Sequence, residues 1–179
     1  GESEVEEIVT EEKATEETVT EETVTEETVT EETDNSDNEI QDSDSESNLP
    51  DLPITQYTIT NNFENVSMAI KDNTVSPVEL TLVLENNSDA HCIYGQYFIV
   101  EKNIEGAWYQ VPTIIDNYGF EDIGYELLPD TSEEWSVNWE WLYGSLDEGD
   151  YRIVKNILDF RETGDYDEYY LSAEFTIKK

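Results

Sequence analysis

The strongest constraint on the fold is an unbroken alternation of apolar and polar residues from 134 to 141. The apolar members of this run are Trp135, Val137, Trp139 and Trp141, and the polar members are Glu134, Ser136, Asn138 and Glu140. Successive side chains of a β-strand point to opposite faces, so this period predicts a strand with one buried face. We interpret the three tryptophans as core residues, with an exposed platform for sugar or peptide as the alternative.

Two-residue periods recur through most of the chain after residue 53, and no stretch there shows a sustained helical period. The other predicted strands cover residues 57–60, 66–70, 80–84, 97–101, 107–111, 124–128, 151–158 and 171–177. A hairpin joins two of them around NIEG at 103–106, where Gly106 supplies a permissive backbone. Seven to nine short strands separated by turns predict an all-β fold, an antiparallel β-sandwich.

The sequence D-x-G-x-Y-x-I, formed by Asp147, Gly149, Tyr151 and Ile153, is typical of the tyrosine corner of an immunoglobulin-like sandwich. The tyrosine at the start of such a strand bonds back to the preceding loop. We therefore assign structural roles to these residues. Cys92 is the single cysteine, so apolar packing must replace the cross-sheet disulfide of antibody domains.

The first 52 residues differ sharply in composition from the rest. They contain 21 Asp and Glu and one Lys, and they lack every Trp, Tyr and Phe of the chain. From Thr15 to Thr33 the sequence TEETV repeats with a period that gives neither a helix nor a strand a buried side. We predict that residues 1–52 are a disordered acidic Thr/Glu-repeat spacer and that residues 53–179 form the sandwich.

The net charge of -37 predicts repulsion from nucleic acids and from bare anionic membranes. We expect the acidic segments to bind divalent cations weakly. The segment DNSDNEIQDSDSE does not have the residue spacing of an EF-hand loop. No apolar run reaches the length of a membrane span. We expect no cofactor, and a lipid anchor upstream of Gly1 is compatible with the sequence.

Two segments resemble the bacterial immunoglobulin-like domain of exported proteins and lipoproteins of Gram-positive bacteria. They are YGQYFIVEKNIEGAWYQVP and LLPDTSEEWSVNWEWLYGSLDEGDYRIVK, and the similarity covers residues 62–160. It implies a sandwich fold, a location outside the cell at the envelope, and no enzymatic activity. ENNSDAHCIYGQYFIV, followed by a Trp, is similar in layout to the intracellular proteinase inhibitor family of bacilli, but no inhibitory residue can be carried over.

No catalytic or metal-binding constellation stands out. His91 and Cys92 are adjacent, so on an extended strand they point to opposite faces and cannot form a dyad. One His and one Cys do not make the usual zinc sets, and nothing marks one carboxylate pair as a glycosidase site. The best candidate contact surface follows Gly164, in a segment that we predict to be a partly exposed loop. Its residues are Asp165, Tyr166, Asp167, Glu168, Tyr169 and Tyr170.

The sequence thus predicts a non-enzymatic, cell-surface or secreted immunoglobulin-like module on an acidic spacer, with an unidentified protein or glycan as its partner. A carbohydrate-binding module is one alternative and requires exposed aromatic rings. A proteinase inhibitor-like domain is the other and requires a protruding loop that docks in a cleft.

Overall fold

The computed structural model of the chain describes residues 51–178. All of the predicted acidic spacer except its last two residues therefore lies outside the described part. The described part consists of nine strands and one short helix: β1 (Val66–Ile70), β2 (Glu79–Asn86), β3 (Cys92–Tyr94), β4 (Ile99–Ile104), β5 (Ala107–Gln110), β6 (Tyr125–Leu127), β7 (Thr131–Asn138), α1 (Glu140–Tyr143), β8 (Gly149–Glu162) and β9 (Asp165–Ile177).

The strands form two antiparallel sheets. The smaller sheet has the order β1-β2-β7, and the larger has six strands arranged around β8. One side of β8 pairs with β9 along nearly its whole length. The other side pairs first with β4, where Ile99 lies opposite Val154, and then with β3, where Cys92 lies opposite Asp159. The predicted all-β antiparallel sandwich is confirmed.

The core lies between the two sheets and is built from alternating residues of the longer strands. Leu82 and Leu84 of β2 are fully buried, and so is Leu171 of β9. The same period places Ala173, Phe175 and Ile177 inside as well. Each fully buried aliphatic or aromatic side chain stabilises the fold by roughly 1.5 to 3 kcal/mol, so this alternation supplies the main driving force for closing the sandwich.

The predicted strand at 134–141 ends earlier than its alternation suggests, because β7 stops at Asn138 and α1 begins at Glu140. Trp139 lies between them, fully buried, with its indole N–H donating to the carbonyl oxygen of Pro77 at 3.0 Å. Trp141 is 43 % exposed, so its assignment to the core face is wrong. A helix turns by about 100° per residue, and this rotation carries Trp141 away from the face that the strand buries.

The tyrosine corner precedes and opens β8. The hydroxyl of Tyr151 donates to the carbonyl oxygen of Asp147 at 2.9 Å. Gly149 has a φ of +154°, and a Cβ atom there would lie 2.9 Å from the side chain of Lys102. The end of the lysine side chain can move aside, but this φ is one that residues with a side chain rarely adopt, so glycine is favoured here.

The predicted strand at 57–60 is also absent from both sheets. Residues 53–61 instead run across the outer face of the six-stranded sheet, and we call them the N-terminal strap. At one end the N–H of Thr55 donates to the β5 backbone (2.9 Å), and at the other the N–H of Asn61 donates to the carbonyl oxygen of Tyr170 in β9 (2.8 Å). The Asn61 side-chain amide also accepts from the N–H of Ser172 (2.8 Å) and donates to its carbonyl oxygen (3.1 Å).

A buried ion pair fixes the strap to the sheet. The Nε of Arg152 donates to Glu101 at 2.6 Å, and neither side chain is more than 8 % exposed. The same guanidinium donates to the hydroxyl of Thr55 (3.1 Å) and to the carbonyl oxygen of Tyr57 (3.0 Å), and it lies over the Trp108 ring. The charge therefore serves to hold irregular backbone against the sheet.

Candidate functional site

The predicted contact surface at residues 165–170 forms the first half of β9, so its assignment to a loop is wrong. Asp165 lies opposite Glu162 and Tyr166 lies opposite Phe160, with a β-bulge between the two β8 residues. Only Thr163 and Gly164 connect the strands. The acidic and aromatic composition resembled a loop, but pairing with the long β8 strand holds the segment extended.

This end of the β8–β9 hairpin projects beyond the rest of the sheet. The last β3 pairing on β8 is at Asp159, and the N–H of Phe160 makes one further bond to the carbonyl oxygen of His91 (2.9 Å). Every residue from 161 to 168 is exposed. We call residues 161–168 the projecting hairpin.

Salt bridges occupy one face of the projecting hairpin. The guanidinium of Arg161 contacts the carboxylates of Asp165 (2.8 Å), Asp167 (3.0 Å) and Asp159 (3.3 Å). Nearby carboxylates raise the pKa of Arg161, so it stays charged. These aspartates therefore pair with a cation of the same chain.

Glu168 and Tyr169, two other residues of the predicted contact surface, lie in different surroundings. Glu168 accepts from the side-chain amide of Asn156 (2.9 Å) and from the hydroxyl of Tyr170 (3.0 Å). Tyr169 packs inward, with its ring 4.2 Å from that of Phe63 at an angle of 21°. The six residues predicted as one surface therefore do not converge on a single site, because alternate residues of a strand face opposite sides.

A second exposed surface escaped the sequence analysis. It combines Tyr118 and Phe120, in the connection between β5 and β6, with Trp141 in α1. The three rings meet edge to face, with Tyr118 and Phe120 6.4 Å and 5.9 Å from the Trp141 ring. Tyr118 and Trp141 are each 43 % exposed, and Ile114, whose backbone bonds to α1, is 62 % exposed. We call these four residues the Tyr118–Trp141 surface.

This surface is anchored to the core. The N–H of Ile114 donates to the carbonyl oxygen of Leu142 at 2.8 Å, which ties the connection to α1. Phe120 packs edge-on against Tyr97 and Phe98, each with ring centroids 5.4 Å apart. One signal in the sequence does point to it: three consecutive large apolar residues, 141–143, cannot all lie on one buried face.

An open cavity of about 330 Å³ adjoins this surface. Its lining includes Tyr118, Pro53, Pro112, Thr113 and Tyr143. Burial raises the pKa of Tyr143 to about 12, so the phenol stays protonated at neutral pH. Its hydroxyl oxygen accepts from the N–H of Val100 at 3.3 Å. The cavity therefore offers a mixed apolar and polar wall with no ionised group among these five residues.

A lysine is buried inside the sandwich. Lys155 is fully buried, and its ammonium donates to the carbonyl oxygens of Gly95 and Tyr97, the latter at 3.2 Å. The rings of Trp135 and Tyr94 lie 3.7 and 5.3 Å away. Burial lowers the pKa of Lys155 to about 7. The carbonyl groups and rings enclose the amine, so its role is structural.

His91 and Cys92 do not form a dyad. Cys92 is fully buried, and burial raises the pKa of its thiol to about 11. His91 instead lies with its Nε2 atom 3.1 Å from a carboxylate oxygen of Glu126. Among residues 51–178 no group of three or more His, Cys, Asp or Glu side chains is arranged to hold a metal ion. In the same part of the chain, no helix is long and apolar enough to cross a membrane.

The sandwich topology and the tyrosine corner define an immunoglobulin-like domain. The profile of the family described as Bacterial Ig-like domain matches residues 62–176, and the chain belongs to this family. A search of curated proteins found no match. Among solved structures, the chain is similar to the ASH/PapD-like domain of human CEP192 (PapD-like domain 7), at 13 % identity over 73 % of this chain and 99 % of that one, with a TM-score of 0.32.

Proposed function

We propose that the chain is a non-enzymatic immunoglobulin-like module of an exported bacterial protein, and that it binds another protein through the Tyr118–Trp141 surface. The observation that carries this proposal is the exposure of two large aromatic rings, Tyr118 and Trp141, that contact each other. Contiguous exposed apolar groups mark interaction sites in proteins that are otherwise well solvated. Trp and Tyr are also the residues that most often dominate the energy of a protein interface.

The ring geometry favours a protein partner over a glycan. A flat platform for a chain of sugars requires exposed rings that are parallel or coplanar, although one ring suffices to stack a single sugar. The planes of Tyr118 and Trp141 instead meet at 72°. Such an edge-to-face pair forms a corrugated surface that side chains of a partner can interlock with.

The adjoining cavity supplies a pocket for one anchoring side chain. Its volume of about 330 Å³ is at the lower end of the range of small-molecule pockets and suits a single large side chain. The exposed carboxylates of Asp116, Glu121 and Glu140 are close in sequence to the surface residues. We therefore expect an apolar anchor on the partner with Lys or Arg beside it.

The proposal also concerns the location of the chain, which we place outside the cell. Family membership and the acidic first 52 residues support a domain held away from the cell envelope, on a spacer that a lipid anchor upstream could attach. Limited proteolysis that removes residues 1–52 is expected to leave the melting temperature of the remainder unchanged. A drop of more than a few degrees would show that these residues belong to the folded unit.

The binding surface can be tested with a displayed library of random 16-residue peptides. Selection on the wild-type chain should enrich peptides with an aromatic residue beside basic ones, and the Tyr118→Ala/Trp141→Ala variant should lose these aromatic peptides. Ile59→Ala is the matched control, because Ile59 is 66 % exposed elsewhere on the domain. No enrichment, or equal binding to both variants, would refute the proposal. Binding on a glycan array that the same double variant abolishes would favour the carbohydrate-binding alternative.

The projecting hairpin is the feature that a proteinase inhibitor-like function would need. An inhibitory loop enters a protease cleft as an extended, unpaired segment, but here the ladder continues to Glu162 and Asp165. Two connecting residues are too few to fill a cleft. The hairpin geometry therefore favours the protein-binding module over the inhibitor.

A further inference from the structure

The outer edge of β9 carries backbone groups whose direction can be deduced from the strap. Asn61 bonds to the backbone of Tyr170 and, through its side chain, to that of Ser172. Those two residues therefore direct their N–H and C=O groups away from β8. Backbone groups alternate along an antiparallel strand, so Glu168 and Tyr166 direct theirs to the same outer edge.

The strap covers this edge only as far as Tyr170. Within residues 51–178, the backbone groups of Tyr166 and Glu168 make no hydrogen bond on the side away from β8. The β-bulge lies in β8, so β9 stays regular over this stretch. The opposite edge of the sheet differs, because the strap bonds to β5. An uncovered strand edge is a ready template for another strand.

We propose that the free edge of β9 at Tyr166 and Glu168 binds an extended, positively charged segment of another protein, which joins the six-stranded sheet as an additional strand. Two outward residues offer up to four backbone hydrogen bonds, the basis of recognition by strand addition. The site begins where the strap ends, so the added strand would continue the line of Asn61 along β9.

The negative charge beside the β9 edge favours a positively charged segment. Asp165, Asp167 and Glu168 are exposed beside the edge, and Arg161 is the single basic residue of the projecting hairpin. A second copy of this chain would bring identical carboxylates together, which opposes edge-to-edge self-association. A segment with Lys or Arg at alternate positions would instead place cations along the carboxylates while its backbone pairs with β9.

The probe is the capped peptide Thr-Lys-Val-Lys-Val-Lys-Thr, titrated into the full chain and followed by NMR. We expect shift changes centred on residues 165–170. Glu168→Pro removes one outward N–H at an edge position that tolerates proline, and Glu168→Thr is its matched control because both variants lose the same charge. Glu168→Pro should weaken binding at least tenfold relative to Glu168→Thr.

A second peptide separates strand pairing from simple attraction between charges. Methylation of the five interior backbone nitrogens keeps all three lysines and removes the N–H donors that a paired strand needs, so it should also weaken binding at least tenfold. Equal affinity of the methylated peptide, or no binding of either peptide at millimolar concentration, would overturn the proposal. A chain dimer that Glu168→Pro dissociates in sedimentation would assign the edge to a second copy and likewise overturn it. The Tyr118→Ala/Trp141→Ala variant should bind the peptide normally, since the two surfaces are independent.

Discussion

The ammonium nitrogen of Lys155 in β8 lies 3.7 Å from the centroid of the Trp135 ring in β7. A cation of the larger sheet is thereby held against an aromatic ring of the smaller one. Such a contact favours the charged amine when it is shielded from water, whereas loss of hydration disfavours it. Burial lowers the pKa of Lys155 to about 7.

This lysine should make stability depend on pH between 7 and 9. An unfolded lysine has a pKa of about 10.4, so in this window the unfolded chain binds more protons than the folded one, and the free energy of unfolding rises with pH by roughly 2 kcal/mol. Urea denaturation at pH 7, 8 and 9 measures the slope. Lys155→Met should flatten it, whatever its effect on absolute stability, and an unchanged slope in the variant would contradict this assignment.

Loss of the Tyr151 hydroxyl should weaken the tyrosine corner. Tyr151→Phe removes the bond to the Asp147 carbonyl (2.9 Å) while keeping the buried ring, and we expect a loss of about 1 kcal/mol in urea denaturation. Tyr166→Phe serves as the control, because Tyr166 is 49 % exposed and its change should stay within about 0.5 kcal/mol. Equal losses would show that the corner bond adds no stability.

Two tryptophans only two positions apart should respond very differently to truncation. Trp139 is fully buried, so Trp139→Ala should cost about 3 to 5 kcal/mol. Trp141→Ala should cost about 1 kcal/mol, because that ring is nearly half exposed and contacts Tyr118 and Phe120 edge-on. Thermal and urea unfolding measure both; Trp139→Leu provides a milder variant if Trp139→Ala fails to fold. Similar losses of unfolding free energy for Trp139→Ala and Trp141→Ala would contradict the difference in burial between the two rings.

Removing one partner of the Arg152–Glu101 ion pair should lower the free energy of unfolding strongly, whereas replacing both partners by apolar residues should lower it little. Arg152→Met leaves the carboxylate of Glu101 buried without its cation and should lose about 3 to 5 kcal/mol. Arg152→Met/Glu101→Leu should recover most of this loss, since an apolar pair avoids the desolvation of two charges. A double variant no more stable than the single one would mean that the guanidinium acts through the strap and not through Glu101.

The sandwich was predictable because β2 and most of β9 alternate between buried and exposed residues, with one face against the core. The periods at Leu80–Leu84 and Leu171–Ile177 reappear as buried and exposed alternation in β2 and β9. The period at Tyr57–Thr60 had the same form but a different cause. Tyr57 is buried where the strap crosses the sheet, but Ile59 is 66 % exposed, so a two-residue period in the sequence does not by itself establish a strand with one buried face.

The candidate surfaces were less accessible to sequence reasoning. Tyr118 and Trp141 lie 23 residues apart and meet only because Ile114 bonds to α1, a contact between two irregular regions with no periodic signal. Lys155 escaped attention for a related reason. It occupies an inward position between Ile153 and Ile157, where a charge is expected only if the fold supplies carbonyl groups and rings to receive it.

The path of the strap determines how mechanical load would enter the domain. Tension transmitted along the first 52 residues would reach the strap at its β5 end, where two backbone hydrogen bonds join Pro53 and Thr55 to β5. The next attachment is the Arg152 guanidinium, which bonds to the strap at Thr55 and Tyr57. Pulling would therefore detach the strap before it strains the two sheets. The strap would take up extension while the sandwich stays folded.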